Sequence, residues 1–144
     1  HSYSSAASDV YKRQMHNRVR MIVGSFLVKH LLIDWKEGEK YFRNCLLDYS
    51  PANNVSGWQW VAGSGADAAP YFRIFNPILQ GEKFDKDGEY VKKWVPELKN
   101  LSKKFIHKPW EFKSESFKLG IDYPYPIVKH EEARAKALKA FKKI

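Results

Sequence analysis

The spacing of apolar residues along the chain predicts helices before any other feature does. Between Arg18 and Ile33, apolar side chains recur at intervals of three and four, as in a helix with one face turned to a core. This face comprises Val19, Ile22, Val23, Phe26, Leu27 and Leu31. Asp34 can cap a second helix that runs from about Glu37 to Leu47. The pattern therefore predicts a mainly α-helical domain.

The helical periodicity stops at Asp48. The segment DYSPANNVSG, from Asp48 to Gly57, collects residues that bond their own backbone or accept unusual dihedral angles, so it is predicted to be a loop. A short helix is expected after Trp58. The following stretch is rich in glycine and aromatic residues, and Pro70 and Pro77 exclude a long helix across it. Irregular chain of this length is more often functional than idle.

The last third of the chain contains further helical signals that are separated by prolines. Glu89–Leu101 is predicted to form one or two short helices divided at Val95–Pro96, and IHKPWEF an extended connector around Pro109. The prolines of DYPYP keep the next segment extended, and strong helix formers predict a terminal helix over Glu131–Ile144. No alternating pattern is long enough to predict a strand.

Composition narrows the class of protein. The 144 residues are 44% hydrophobic, which is enough for one domain with a packed core. Lysine and arginine total 25 against 16 acidic residues, and the net charge of +9 favours polyanionic partners such as nucleic acid or phosphate-bearing cofactors. Charge alone does not decide the partner, because many basic proteins bind nothing anionic.

Cysteine content and hydropathy bear on location. Cys45 is the single cysteine and cannot form an intrachain disulfide, so a cytoplasmic location is expected, with nucleoid association in a bacterium. The apolar stretches are too short to span a membrane, and no membrane contact is expected. Residues 1–14, rich in serine and alanine, are predicted to be a disordered or foreign leader, and residues 15–144 the domain.

Two groups of polar residues are candidates for binding. Asn17, Arg18 and Arg20 lie near the start of the first helix, where free N–H groups and the helix dipole attract phosphates. A solvated helix start is the alternative interpretation. Asp48 and Asn54 flank the polar loop, where they either form turns and caps or belong to a binding site.

Trp58 and Trp60 raise a separate question, because one tryptophan usually suffices to anchor a core. In a helix their side chains would point about 200° apart. One could then face inward and the other a ligand or a base, since aromatic faces stack on bases; ordinary packing of both is the alternative. No metal site is expected, because His16 has no second ligand at a suitable spacing. Nucleophile elbows, Walker loops and dinucleotide-binding glycine motifs are also missing from the sequence.

Several long blocks of the chain are similar to one family. MHNRVRM, LLDYSPANNVSGWQW, GADAAPYFRIFNPILQGEKFD and DYPYPIV resemble the C-terminal part of the flavin domain of deoxyribodipyrimidine photolyases, in the photolyase and cryptochrome family. The WQW element and Met21 resemble the class I enzymes that act on cyclobutane pyrimidine dimers. The resemblance runs from Met15 to about residue 135. It implies a truncated helical FAD-binding domain of the photolyase/cryptochrome fold, with long irregular loops.

The resemblance implies that four residues bind FAD, namely Asn17, Arg20, Asp48 and Asn54. Arg20 and Asp48 would pair beside the isoalloxazine, and the Asn54 amide would face the flavin N5. An amide suits this place because it can accept from a protonated N5 and donate to an unprotonated one. Asn53 is the alternative to Asn54 for this contact.

The resemblance also implies an electron path. Trp58 and Trp35 would be the first and second members of a tryptophan chain that delivers electrons to the flavin. Together with Asn54 they are the expected catalytic residues.

Five residues would contact DNA. Trp60 and Met21 would line the cavity that receives a pyrimidine dimer flipped out of the duplex. Arg18, Arg73 and Lys83 would lie on the basic surface that holds the DNA backbone around the lesion.

The implied activity is light-driven repair of pyrimidine dimers in DNA by electron transfer from reduced FAD, by a protein that is a monomer when complete. An antenna chromophore of the folate or deazaflavin type would belong to an N-terminal domain outside this chain. The chain alone is expected neither to hold FAD tightly nor to repair DNA. The alternatives are a cryptochrome-type blue-light photoreceptor and a DNA-binding module without catalysis.

Overall fold

The structure is a computed structural model that describes residues 15–66 and 68–143, and the predicted leader at residues 1–14 lies outside this part. The described chain is mainly helical, which confirms the predicted fold class. It divides into a larger unit, residues 15–75 with 128–143, and a smaller unit, Asn76–Ile127. Among the helices in the described part of the chain, none combines the length and the apolar composition that crossing a membrane requires.

The larger unit begins with helix α1, Asn17–Ser25, which continues directly into a π-helix, Phe26–His30. The prediction of a single α-helix over Arg18–Ile33 is therefore wrong in two respects. Residues 26–30 form a π-helix, and the helical conformation ends at His30. A π-turn is wider than an α-turn and changes which side chains face the core. Here it buries two polar side chains, Lys29 and His30, which the apolar periodicity did not mark as core residues.

Helix α2 spans Trp35–Cys45 and confirms the predicted cap. The Asp34 carboxylate accepts a hydrogen bond from the Lys36 N–H at 3.0 Å, which satisfies one of the free donors at the helix start. The buried positions of α2 are Gly38, Glu39 and Phe42. This face packs against helix α3.

Helix α3 spans Pro51–Ala62, so the prediction of a loop over Asp48–Gly57 is wrong. Pro51 occupies the first helical turn, where its missing N–H costs nothing, and Gly63 ends the helix in the left-handed conformation at φ 76°. The buried positions of α3 are Asn54, Trp58 and Val61. Burial of these side chains overrides the low helix propensity of the asparagine, serine and glycine residues around them.

Helix α6, His130–Lys142, completes the larger unit and confirms the predicted terminal helix. It packs against the π-helix. The His30 and His130 rings meet there, with 2.8 Å between Nε2 of His30 and Nδ1 of His130. Burial lowers the pKa of His30, and the positive form of His130 lowers it further.

The smaller unit contains helices α4, Pro77–Phe84, and α5, Glu89–Trp94. The sequence pattern missed α4, which starts where the Asn76 side chain accepts from the N–H groups of Ile78 and Leu79. A 3-10 turn at Pro96–Leu98 follows α5, which confirms the predicted division at Val95–Pro96.

The rest of the smaller unit consists of turns around an apolar core. Pro109–Glu111 forms a 3-10 turn, so the prediction of an extended connector around Pro109 is wrong. Proline favours the first position of such a turn because its φ is already helical. Two isolated β-bridges, Ser114 to Phe117 and Leu119 to Tyr123, lie nearby. The buried core consists of Val95, Leu98, Leu101, Ile106 and Phe117.

Candidate functional site

An open pocket of about 700 Å³ lies in the larger unit, where the start of α1 faces one side of α3 and the turn after it. Its volume is in the range of ligand-binding pockets. The lining residues are Met15, Asn17, Arg20, Asn53, Ser56, Gly57, Gln59, Trp60, Ser64, Gly65 and Ala66. The pocket thus brings together four residues that the sequence singled out, namely Asn17, Arg20, Asn53 and Trp60.

The start of α1 presents polar groups to this pocket. The His16 ring caps the helix, because its Nδ1 accepts from the Arg18 N–H at 3.2 Å. The Asn17 amide reaches one turn along the helix to the Met21 sulfur at 3.6 Å. Met21 is half-buried and is not one of the pocket-lining residues. Its sulfur contacts Asn17, which does line the pocket.

Arg20 is held at two points. Its guanidinium forms an ion pair with the Asp48 carboxylate, and its Nε donates to the Met15 carbonyl at 2.6 Å. Asp48 lies in the turn between α2 and α3, so the pair ties α1 to this turn. Two fixed contacts orient the planar guanidinium, which leaves its remaining N–H groups in a defined direction at the pocket wall.

The two neighbouring asparagines of α3 have different environments. Asn54 is buried, and its amide nitrogen donates to the backbone carbonyl of Glu39 at 3.2 Å and to the carboxylate at 3.4 Å. Asn53 is exposed and lines the pocket. The amide nitrogen of Asn54 is thus engaged inside the protein, whereas the side chain of Asn53 is open to a ligand.

Glu39 is a site residue that the sequence reasoning missed. It is buried, and its carboxylate accepts from the Tyr49 hydroxyl at 3.1 Å as well as from Asn54. Arg43, one turn further along α2, approaches the same carboxylate at 3.6 Å. The i,i+4 spacing of Glu39 and Arg43 was visible in the sequence but is typical of solvated helix faces. Loss of solvation and the nearby Glu39 carboxylate raise the pKa of Tyr49.

The two tryptophans of α3 lie on different sides of the helix. Trp58 is 4% exposed, and its ring meets the Phe42 ring edge-on with 5.0 Å between the centroids. A Cβ atom on Gly38 would lie 2.2 Å from the Trp58 ring, so only glycine lets this indole lie so close to α2. Trp60 is half-buried and lines the pocket. Trp35 is half-buried at the first position of α2, on the turn before Gly38.

The three predicted DNA contacts are distributed over both units. Arg18 is half-buried on α1, and Arg73 is exposed in the segment after α3. Lys83 is exposed at the end of α4 in the smaller unit, where its Nζ lies 5.2 Å from the centre of the Phe84 ring. The larger unit therefore holds the pocket with Arg18 and Arg73, and Lys83 belongs to the other unit.

Comparison with known proteins decides the family. A family described as the FAD binding domain of DNA photolyase matches residues 12–143. The chain belongs to this family.

Photolyases from several bacteria share much of this sequence. The deoxyribodipyrimidine photo-lyase of Agrobacterium fabrum is 64% identical over 132 residues, which are 88% of this chain and 28% of that protein. The enzyme of the same name from Escherichia coli is 56% identical over 127 residues, 88% of this chain and 27% of that protein. The chain therefore spans little more than a quarter of the length of these relatives.

Solved structures of the family share the fold. A bacterial class III photolyase from Agrobacterium tumefaciens superposes with a TM-score of 0.90 at 57% identity, over 96% of this chain and 30% of that chain. A cryptochrome from Synechocystis sp. PCC6803 gives a TM-score of 0.81 at 40% identity, over 88% of this chain and 27% of that chain. The helical fold predicted from the resemblance is thus the fold of photolyases and cryptochromes.

The pocket suits part of a flavin, and FAD is the cofactor named in the description of this family. A planar ring system needs an apolar face and hydrogen-bonding groups at its edge. Met15 lines the pocket as an apolar residue, and Asn17, Arg20 and Asn53 provide the hydrogen-bonding groups. The donor set therefore fits a cofactor that carries carbonyl groups and ring nitrogens.

Proposed function

We propose that this chain is part of a photolyase that repairs cyclobutane pyrimidine dimers in DNA with light, by electron transfer from reduced FAD. The observation that carries the proposal is the pocket, in which α1 and α3 bring Asn17, Arg20, Asn53 and Trp60 together. The 64% identity with the Agrobacterium fabrum photolyase supports the reaction class.

The flavin would be held by Asn17, Arg20, Asp48 and Asn54. When bound and photoexcited in its fully reduced form, FAD would lend the electron that splits the dimer and take it back after the rings separate. Arg20 can hold an electron-rich carbonyl edge, because its charge and its fixed fork favour negative charge at that place. Asp48 fixes that fork through the ion pair and balances the charge.

Asn54 would provide the amide at the flavin N5. Glu39 holds its amide nitrogen, so the rotation of this side chain is restricted and the carbonyl end is the part left for a ligand. Asn53 stays the alternative, and its place in the pocket lining supports it.

Trp58 and Trp35 would form the electron path into the site. The close contact of the Trp58 ring with Gly38 supports this role, because Gly38 lies on the same helix as Trp35 and one turn away. Burial of Trp58 excludes water from the ring.

DNA would be bound by a stacking surface and a basic surface. Trp60 and Met21 would line the cavity for a flipped-out base, and stacking of a base on the indole face is worth about 1–3 kcal/mol. Arg18, Arg73 and Lys83 would neutralise phosphates around the lesion. The class I assignment stays a prediction, since one structural relative is described as a class III photolyase.

A chimera tests the proposal. This chain would replace the 132 matching residues of the Agrobacterium fabrum photolyase, to which they are 64% identical. We expect the purified chimera to bind FAD, measured by its absorbance, and to restore an oligonucleotide with one thymine dimer under blue light, measured by chromatography. In the chimera, Trp60→Ala should weaken binding of the dimer and leave the flavin absorbance unchanged. A folded chimera without FAD would contradict the proposed cofactor site.

The same assay separates the alternatives. A chimera that binds FAD and responds to blue light but leaves dimers intact would indicate a cryptochrome-type photoreceptor, a class to which the 40% identity with the Synechocystis protein points. Salt-dependent DNA binding without flavin, with no preference for damaged DNA, would indicate a simple DNA-binding module.

The remaining expectations belong to the complete protein. We propose that it is a monomer in the cytoplasm, associated with the nucleoid in a bacterium, and that it carries a folate or deazaflavin antenna on another domain. We also propose that the 144-residue chain alone holds FAD weakly and lacks repair activity.

A further inference from the structure

Lys29 is a lysine in the interior of the larger unit. Only 1% of its surface is exposed, and it lies within the π-helix Phe26–His30. Its ammonium donates to the backbone carbonyl of Tyr71 at 3.3 Å and lies 3.6 Å above the centre of the Phe141 ring. It also lies 4.0 Å from the place that a Cβ on Gly63 would take, at the carboxyl end of α3. One side chain thus joins the π-helix, the end of α3, the segment around Tyr71 and helix α6.

Burial of this ammonium costs free energy. Loss of solvation lowers the pKa of Lys29, and among the described residues no carboxylate forms an ion pair with it. The charge is stabilised by a carbonyl oxygen, an aromatic face and the negative end of a helix dipole. A methionine or leucine could fill the same volume without this desolvation cost. Packing alone therefore does not account for a lysine here.

The contact with Tyr71 is one of three that fix the 68–75 segment, the chain between α3 and the smaller unit. The Ala69 N–H donates to the Trp60 carbonyl at 3.1 Å, and the Phe75 N–H donates to the Ser25 hydroxyl at 3.2 Å. Lys29 holds the middle of the segment. The first contact leads back to a residue that lines the pocket.

Next to the Lys29 contact, the segment presents three exposed side chains. Tyr71 and Phe72 are 42% and 59% exposed, and their rings meet edge-on with 5.7 Å between the centroids. Arg73 follows directly and is also exposed. Exposed aromatic rings beside an arginine are the chemistry that binds a nucleic-acid strand, through stacking and phosphate contact.

We propose that Lys29 is a positioning residue for DNA binding, which fixes the 68–75 segment so that Tyr71, Phe72 and Arg73 form a preformed contact surface. This inference rests on the proposed function in one respect, that DNA is the partner. Lys29 itself is buried and does not touch the DNA. Its contribution lies in ordering the segment before binding, which removes the entropic cost of ordering it during binding.

Limited proteolysis tests the anchor without DNA. Trypsin cleaves after Arg73, and cleavage in a folded protein requires local opening of the segment. Lys29→Met keeps the aliphatic stem and removes the donor, and we expect cleavage between Arg73 and Ile74 to become about threefold faster or more. Lys40→Met, which removes an exposed lysine of α2, is the matched control and should leave this rate unchanged. Mass spectrometry identifies the cut, and the thermal unfolding midpoint of each variant is measured in parallel.

A second variant loosens the same segment from its other anchor. Ser25→Ala removes the hydroxyl that accepts from the Phe75 N–H and should also speed the cut after Arg73. If Lys29→Met does not fold, the cleavage rate and the DNA affinity are measured on Ser25→Ala instead. Cleavage at the wild-type rate in a folded Lys29→Met or Ser25→Ala variant would overturn the proposal.

DNA binding tests the consequence. Fluorescence anisotropy of the chimera with a duplex that contains one thymine dimer should show about fivefold weaker binding when it carries Lys29→Met than when it carries Lys40→Met. In an Arg73→Ala background the same substitution should have an effect of less than about twofold, because the two residues act through one surface. Additive effects would mean that Lys29 acts through its charge alone, and would overturn the proposal. A chimera with the unsubstituted segment that binds no dimer-containing DNA would contradict the proposed function, while the cleavage rates would still decide whether Lys29 anchors the segment.

Discussion

The two units of this protein differ in what they bury. The core of the smaller unit is apolar, with Val95, Leu98, Leu101, Ile106 and Phe117 packed together. In the larger unit the buried residues include a serine, a lysine, a histidine, a glutamate and an asparagine, namely Ser25, Lys29, His30, Glu39 and Asn54. Among the described residues that are buried as a whole, the polar and charged ones lie in the larger unit, while the smaller unit buries the side chain of His107, which donates to the Asp85 carbonyl at 2.6 Å.

This difference indicates where function is located. A buried polar group costs stability unless it is hydrogen-bonded, and even a bonded one rarely stabilises more than an apolar group of the same size. Local departures from the rules of stability are expected at functional sites. The larger unit contains both the pocket and the buried residues that depart from these rules, whereas the core cluster of the smaller unit is wholly apolar.

The largest expected effect lies in the smaller unit. Ile106 is 1% exposed, and Ile106→Ala should lower the free energy of unfolding by about 2–5 kcal/mol, through lost burial and a cavity. Ile121→Ala is the control, because Ile121 is 80% exposed and its loss should change stability by less than about 0.5 kcal/mol. Urea unfolding measures both. Equal effects would mean that this core is not the one that holds the unit together.

The second effect lies in the polar interior of the larger unit. Glu39→Ala leaves the Tyr49 hydroxyl without its acceptor and removes one contact of Asn54, which should cost about 1–3 kcal/mol. Glu39→Gln keeps an acceptor oxygen at the same place and should retain most of that stability. Urea unfolding of the two variants makes the comparison. If alanine and glutamine variants were equally stable, the hydrogen bonds of Glu39 would not support the site.

The third effect concerns the contact between α2 and α3. Gly38→Ala would place a methyl group in the Trp58 ring, and overpacking of this kind costs about 1–3 kcal/mol. Gly57→Ala is the matched control on α3, where an added Cβ meets nothing within 4 Å. It should stabilise the helix by about 0.5–1 kcal/mol. Thermal unfolding and the tryptophan fluorescence of each variant check this, and a stabilised Gly38→Ala variant would disprove the close contact.

The smallest effect is a pH dependence. The pKa of His30 is lowered in the folded protein from its ordinary value of 6.5. As the pH falls below 6.5, His30 therefore binds a proton more readily in the unfolded chain than in the folded one. Stability is then fully present above pH 6.5 and declines as the pH falls through the folded pKa, by at most about 1.4 kcal/mol per pH unit.

Two variants isolate this dependence. His30→Asn should flatten the decline between pH 7 and pH 5, measured by urea unfolding at each pH. His130→Asn should flatten it only in part, since burial is the larger cause of the lowered pKa. If the stability of His30→Asn declined as steeply as that of the wild type, the pH dependence would come from other titratable groups.

Some of the site could be predicted because its signal is local. Asp34 caps α2 through its own side chain, and the spacing of Trp58 and Trp60 places them on different sides of any helix. Arg20 and Asp48 are 28 residues apart in sequence, and their ion pair was expected only from the resemblance to photolyases. Periodicity alone would not have paired them.

Other parts could not be predicted because the signal opposed the structure. The residues around Asn53, Asn54 and Gly57 favour turns, and the chain forms α3 there because Trp58 and Val61 become buried against other helices. Nothing in the local sequence around Glu39 marked it as buried. Lys29 and His30 looked polar and therefore exposed, and the π-helix turned them inward.

The sequence by itself determined the mainly helical class, the cap at Asp34 and membership of the photolyase family, since each depends on residues close together in the chain or on long matching blocks. Tertiary structure alone decided which polar residues are buried and what they contact. A hydrogen bond to a buried group depends on distances between segments far apart in sequence. Local preference cannot encode such distances, so the buried contacts of Glu39, Lys29 and Asn54 became visible only in the folded chain.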